Sequence, residues 1–243
     1  MVEQHIASAF DRDLEDIQAL VMKMGGLVED AIRNAALSLE NRDEDLAEEV
    51  RRNDKLIDAL EQQINEDCAR LLALRQPIAS DLRTVLTVMK IAANLERVGD
   101  YAKNLAKRTS VLLQMPVIEG SSGAIKRMSK EVQLMLTDAL DAYIRRDQDL
   151  AEVVRQRDLE VDQMYNALFR EFLTFMMEDP RNITACMHLH FIAKNTERMG
   201  DHVTSIADQV IYLVTGAMPD EARPKGNMEV YAVPEGAQGG SGA

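Results

Sequence analysis

Four pairs of acidic residues, each with its members four positions apart, have the types and spacing that could do chemistry. In an α-helix, residues four apart lie on one face, one turn above each other. Carboxylates brought together on such faces offer only oxygen ligands, which suit divalent or trivalent cations such as Mg, Mn, Fe or Zn ions. The pairs are Asp54 and Asp58, Glu96 and Asp100, Asp158 and Asp162, and Glu197 and Asp201.

The acidic pairs belong to a unit that occurs twice in the chain. The segment RDEDLAEEV at 42–50 returns as RDQDLAEVV at 146–154, and NLERVGD at 94–100 returns as NTERMGD at 195–201. Two blocks that repeat in the same order at nearly the same offset indicate a duplicated domain. A single acidic pair on a helix is usually solvated surface, so the repetition is what favours a metal site.

Turn signals divide each copy into three predicted helices. Asp43 and Asp147 are predicted N-caps, and helices are expected to end before Pro77 and Pro180, because proline disfavours a helical residue in front of it. The composition also favours helix, since the chain has no tryptophan and only six prolines. The predicted helices span about 5–40, 43–75, 78–114, 122–144, 147–178 and 181–215.

These elements predict an all-α protein made of two tandem, pseudo-symmetric, antiparallel three-helix bundles. The first bundle is expected in residues 1–115 and the second in 124–215, with a linker at 116–123. Residues 216–243 contain three prolines and end in GGSGA, so we expect a disordered tail.

The acids fall at matched levels if the second and third helices of each copy form a hairpin. Asp58 lies as many residues before Pro77 as Glu96 lies after it, and Asp54 and Asp100 are matched in the same way. The second copy keeps this register about its own turn at 179–180, although its hairpin differs in length. The sequence therefore predicts that four acids from two helices meet once in each copy.

Several of these acids are expected near a packing face. Asp54 continues the apolar line of Leu46 and Val50 at the next four-residue step. Converging carboxylates there would repel one another, and a bound multivalent cation would remove the conflict. Ion pairing with Arg97 and Arg198 is the alternative that needs no metal.

Gly99 and Gly200 interrupt the third helix of each copy between the two acids. A glycine inside a helix costs about 1 kcal/mol relative to alanine. We interpret both glycines as clearance for a neighbouring helix or an ion cluster.

Composition and charge argue against several classes of protein. A net charge of -13 does not suit a nucleic-acid surface, which needs a basic face. The two cysteines, Cys68 and Cys186, support neither a disulfide framework nor a thiolate metal site. The N-terminus lacks the basic and apolar regions of a signal peptide, and no long apolar run follows. We expect a soluble, cytoplasmic protein that meets a membrane only through partners.

The two repeats, with DxxxD on the second helix and ERxGD on the third, resemble the PhoU family. The resemblance covers the chain to about residue 215 and implies a cytoplasmic, often dimeric protein that binds metal clusters through these carboxylates. It further implies a negative regulator of the phosphate-starvation response. Such a regulator couples the ATPase subunit of the high-affinity phosphate ABC transporter to a sensor histidine kinase and restrains phosphate uptake. The implied metal sites are Asp54, Asp58, Glu96 and Asp100, and Asp158, Asp162, Glu197 and Asp201.

A non-enzymatic adaptor is the leading hypothesis, because no nucleophile or general base accompanies the acids. The alternative is a carboxylate-bridged metalloenzyme on a helical bundle. Such sites use Glu-x-x-His, and none of the four histidines has a glutamate three residues before it. A helical scaffold without specific metal is a third interpretation. His188, His190 and His202 are not shared between the copies and are expected to be structural or surface residues.

Overall fold

Six long α-helices joined by short connections make up the part of the chain that the structure describes. This computed structural model describes residues 2–219, with side chains from Phe10 onward, and the predicted tail lies mostly outside this range, at 220–243. The all-α prediction is confirmed. The helices are α1 (Val2–Asn41), α2 (Glu44–Arg75), α3 (Ser80–Leu112), α4 (Ser121–Arg145), α5 (Gln148–Glu178) and α6 (Ile183–Thr215), with a 3₁₀ turn at Pro180–Asn182.

The second helix of each copy begins at the predicted N-cap. The carboxylate of Asp43 accepts from the Leu46 N–H at 2.9 Å, and that of Asp147 accepts from the Leu150 N–H at 3.0 Å. Each bond satisfies a backbone donor that the first turn of a helix leaves unpaired. The caps fix where α2 and α5 begin, and therefore the height of every acid along them.

The two hairpin turns use different chemistry. After α2, Gln76 adopts a left-handed conformation with φ of 47° and donates its N–H to Leu72 O before Pro77. After α5, the Asp179 carboxylate accepts from the Arg181 N–H at 2.9 Å and opens the 3₁₀ turn. Each turn reverses the chain within a few residues, so the following helix runs antiparallel to the preceding one.

Apolar lines along the helices form the core. The helical period of α3 places Ile91, Leu95, Val98 and Ala102 in full burial, as their spacing predicts. On α2 and α5 the same lines contain acids, so that Asp54 is buried among apolar neighbours with 5% of its surface exposed. The helices therefore bring carboxylates into the packing face.

The two bundles join along two antiparallel helix pairs. Between α3 and α6, Asn94 Oδ1 lies 2.9 Å from His202 Nδ1. Between α1 and α4, Lys126 donates to Glu40 at 2.6 Å. Because α3 and α6 are antiparallel, the α2–α3 and α5–α6 turns lie at opposite ends of the molecule. Among the described helices, none is both long and apolar enough to cross a membrane.

Candidate metal-binding clusters

The first cluster comprises Asp54 and Asp58 on α2 and Glu96 and Asp100 on α3. A lysine joins its two helices: Lys103 Nζ lies 2.5 Å from Asp54 Oδ2 and 2.9 Å from Asp100 Oδ1. Burial raises the pKa of Asp54 above its ordinary value, and the hydrogen bond from Lys103 opposes the rise. One ammonium thus bridges the two acids that were predicted to lie at the same level.

Glu96 and Asp58 form the other level of the first cluster. Burial raises the pKa of Glu96 to about 7, and the negative charges of Asp100 and Asp58 act in the same direction. Asp58 itself is exposed. The neighbouring carboxylates therefore repel the charged form of Glu96, whose side chain is 24% exposed.

The second cluster comprises Asp158 and Asp162 on α5 and Glu197 and Asp201 on α6. Asp158 is 8% exposed, matching the burial of Asp54. Lys194 Nζ lies 2.6 Å from Glu197 Oε1, three residues along the same helix. Glu197 Oε2 is buried and has no hydrogen-bond partner within the described part of the chain. Burial raises the pKa of Glu197, with further contributions from the charges of Asp201 and Asp162.

The cluster acids do not form a closed set of metal ligands. The described residues contain no group of three or more His, Cys, Asp or Glu that could hold a metal ion. The donor chemistry fits a hard cation, because every member is a carboxylate. The buried Glu197 Oε2 also suits a cation, because a buried hydrogen-bond acceptor that has no donor costs folding free energy. The clusters therefore offer carboxylate oxygens that suit a hard cation, and in the first cluster Lys103 already joins acids of the two helices.

The two glycines provide clearance for a neighbouring helix, as one of the two interpretations predicted. A Cβ on Gly200 would lie 3.1 Å from Asp158 Oδ1, and one on Gly99 would lie 3.0 Å from Ile57 Cδ1. Both distances are shorter than ordinary van der Waals contact, so a side chain at either position would press on the facing helix. At Gly99 the nearest atoms belong to an isoleucine, and at Gly200 the nearest atom belongs to a cluster acid.

Lys103 and Lys194 are the site residues that the sequence reasoning missed. Arg97, the expected partner, lies 3.5 Å from Glu96 and 3.9 Å from Asp100 through an exposed side chain. Helical spacing could have identified both lysines, because Lys103 follows Asp100 by three positions and Lys194 precedes Glu197 by three. That Lys103 reaches across to Asp54 depends on how α2 and α3 pack.

His190 and His202, among the described residues, pack against other side chains. His202 bonds Asn94 and lies against the ring of Tyr101, with ring centroids 5.7 Å apart. His190 lies among aromatic rings, including Phe169 at 5.2 Å. Their contacts give the metalloenzyme alternative no support.

A family model and several relatives match this architecture. The model described as the PhoU domain matches residues 21–109 and again residues 125–210. The phosphate-specific transport system accessory protein PhoU homolog of Rhizobium meliloti is 43% identical over 228 residues, covering 94% of this chain and 96% of the relative. The homolog of the same description from Zymomonas mobilis is 45% identical over 222 residues, covering 91% of this chain and 93% of the relative. The two matched segments lie in the two predicted repeats.

Two solved structures share the fold. The crystal structure of PhoU from Pseudomonas aeruginosa aligns with a TM-score of 0.83 at 41% identity, covering 86% of this chain and 100% of that one. The crystal structure of the phosphate transport system regulatory protein PhoU from Streptococcus pneumoniae aligns with a TM-score of 0.80 at 32% identity. It covers 87% of this chain and 99% of that one. Both alignments cover more than four-fifths of this chain and nearly all of the solved chain.

Alanine at the glycines tests the packing role. Gly26→Ala on α1 should raise the free energy of unfolding by about 1 kcal/mol, because nothing lies within 4 Å of the added Cβ. Gly200→Ala should show no gain and a lower melting temperature, since its Cβ presses on Asp158. Urea unfolding measures both variants, and an equal gain in the two would contradict the close approach of α5 to α6.

Glu96→Gln tests the repulsion in the first cluster. Because folding raises the pKa of Glu96, its carboxyl holds a proton more tightly in the folded chain than in the unfolded chain. The native chain therefore loses stability as pH rises toward 7 and Glu96 ionises. In EDTA, the variant should gain stability relative to the native chain between pH 5 and pH 8, by on the order of 1–2 kcal/mol after solvent screening. Glu49→Gln, at an exposed position on α2, is the control. A stability difference that stays constant across this pH range would contradict the assignment.

Proposed function

The chain belongs to the PhoU family, and we propose from this that it regulates phosphate transport as an accessory protein of a phosphate-specific transport system. The observation that carries the proposal is the duplicated PhoU architecture, which spans residues 21–109 and 125–210. The relatives that share this architecture are described as transport accessory or regulatory proteins. These are not descriptions of enzymes, and the chain is not an enzyme.

In finer detail, the protein is a cytoplasmic adaptor and negative regulator. It couples the ATPase subunit of the high-affinity phosphate ABC transporter to a sensor histidine kinase, and it restrains uptake and the phosphate-starvation response when phosphate is plentiful. Support comes from the family resemblance and from the relatives that are described as transport accessory or regulatory proteins. It reaches the membrane through these partners, and it does not bind nucleic acid, since its net charge is -13.

A homodimer is part of the proposal, because the family resemblance implies one. Sedimentation equilibrium on the purified chain distinguishes the mass of one chain from that of two.

The eight cluster acids hold divalent or trivalent metal ions. The support is physical: Asp54 and Asp158 are nearly buried, burial raises the pKa of Glu96 and Glu197, and Glu197 Oε2 has no donor among the described residues. A bound cation neutralises the carboxylates at each hairpin and so stabilises the packing of its two helices.

The regulatory proposal predicts derepression on loss of the gene. In a strain without it, phosphate-responsive genes should be expressed at high phosphate and should return to repression when the native chain is supplied.

Photo-crosslinkers at the exposed Ile78 and Met177, at opposite ends of the molecule, should capture the transporter ATPase and the kinase. Unchanged expression in the deletion strain would contradict negative regulation, and loss of both captures would contradict the adaptor role.

The metal proposal predicts bound ions by elemental analysis. After incubation with Mn²⁺ and dialysis, the native chain should retain metal, and combined Asp54→Asn, Asp100→Asn, Asp158→Asn and Asp201→Asn should abolish retention. A control carrying Glu49→Gln and Asp149→Asn changes exposed acids outside the clusters and should retain the native amount. Equal retention in all three proteins would contradict binding at the clusters.

A further inference from the structure

Each helix of the α3–α6 pair exposes a short row of apolar side chains near its first turns. The first row is Leu82 and Leu86 on α3, and the second row is Ile183, Met187 and Phe191 on α6. Residues four apart share one face of a helix, so each row is continuous. All five side chains are between 38% and 45% exposed. The pair therefore presents apolar surface to solvent at both of its ends.

The internal duplication gives the two rows their first two members. At the offset that relates NLERVGD to NTERMGD, the first two residues of one row match the first two of the other. Exposed apolar residues on α2 and α5 behave differently. Leu56 corresponds to Glu160 in the other copy, and Val153 corresponds to Glu49. Single exposed apolar residues are ordinary, whereas clustered ones are typical of an interaction site.

The helix α3 is basic within an acidic chain. It contains six lysines and arginines and three acids, which gives a net charge of +3, whereas the whole chain has -13. Two of those acids, Glu96 and Asp100, belong to the first cluster, and the third is Asp81 in the first turn. Local positive charge beside apolar rows is complementary to a partner that offers both apolar and acidic groups.

α3 supplies a base to each row. Beside the first row, Arg83 Cζ and Lys90 Nζ each lie 5.9 Å from the centre of the Tyr212 ring. In the second row, Arg108 Cζ lies 4.4 Å from the centre of the Phe191 ring. Within the described part of the chain, none of the three bases forms an ion pair with a carboxylate. Each base can therefore meet an incoming acid without giving up an ion pair.

Charge and shape favour one kind of occupant. A second copy docked through α3 about a two-fold axis would place bases against bases, and like charges repel. Nucleic acid or an anionic membrane needs a broad basic surface, which a chain with a net charge of -13 does not offer. An amphipathic helix with acidic flanks fits, because its apolar side packs on a row while its acids meet the bases.

We propose that each row, with the base beside it, is a docking surface for an acidic amphipathic helix of a partner protein. The two rows lie near the two hairpin turns, at opposite ends of the molecule, so one chain binds two such helices without overlap. The inference rests on the proposed adaptor function and names the chemistry that the partners of the adaptor share.

Fluorescence anisotropy with designed peptides tests this chemistry on the full chain. The probe is a labelled helical peptide of about 20 residues, with leucines along one side and glutamates flanking them. Its twin has lysines in place of the glutamates. The chain should bind two glutamate peptides, each at least about tenfold more tightly than the lysine peptide. Added NaCl should reduce this difference, because salt screens the charges.

Variants in the rows locate the binding. Leu82→Ser with Leu86→Ser should remove one of the two bound peptides. Ile183→Ser with Met187→Ser should remove the other. Arg108→Gln should weaken binding of the glutamate peptide at the second row alone. Because all five side chains belong to the outer surface of the pair, circular dichroism should show native helix content in each variant.

Leu56→Ser with Val153→Ser is the matched control, since it changes two exposed apolar residues outside the rows and should bind both peptides as the native chain does. The inference is overturned by equal affinity for the two peptides, by no binding of the glutamate peptide, or by native binding in both row variants. Preferential binding to phosphatidylglycerol vesicles would also overturn it. The proposed function fails on a different measurement, unchanged expression of phosphate-responsive genes in the deletion strain.

Discussion

The nearly buried carboxylates of Asp54 and Asp158, one in each hairpin, are the constraint on which the rest of the arrangement depends. Each lies in an apolar line of its helix, where an unpaired charge costs several kcal/mol. Gly99 and Gly200 allow the facing helix to come close, which removes more water from the acids. In the first hairpin the Lys103 ammonium supplies positive charge to Asp54 and Asp100.

The two copies place the ion pairs between their helices at different positions. The first places Lys103 between its helices at the acids, and the second places the Arg155–Asp208 pair beyond them. Duplication preserves what depends on backbone geometry, such as the caps at Asp43 and Asp147.

The helices that contain the clusters also join the bundles. Asn94, two positions before Glu96, contacts His202, which follows Asp201. The two cluster helices α3 and α6 therefore also form one of the two helix pairs that join the bundles.

Local chemistry and periodicity in the sequence determined the helices, their caps, the internal duplication and the matched levels of the acids. These features depend on residues near one another in the chain, or on counting along helices of constant rise. Only the tertiary structure decided which cation faces which acid. Lys103 and Arg97 are both within helical reach of Asp100, but the packing of α3 on α2 brings Lys103 to Asp54, whereas Arg97 stays exposed. The burial of Glu197 Oε2 likewise depends on the approach of α5, because desolvation is set by atoms that are distant in the chain.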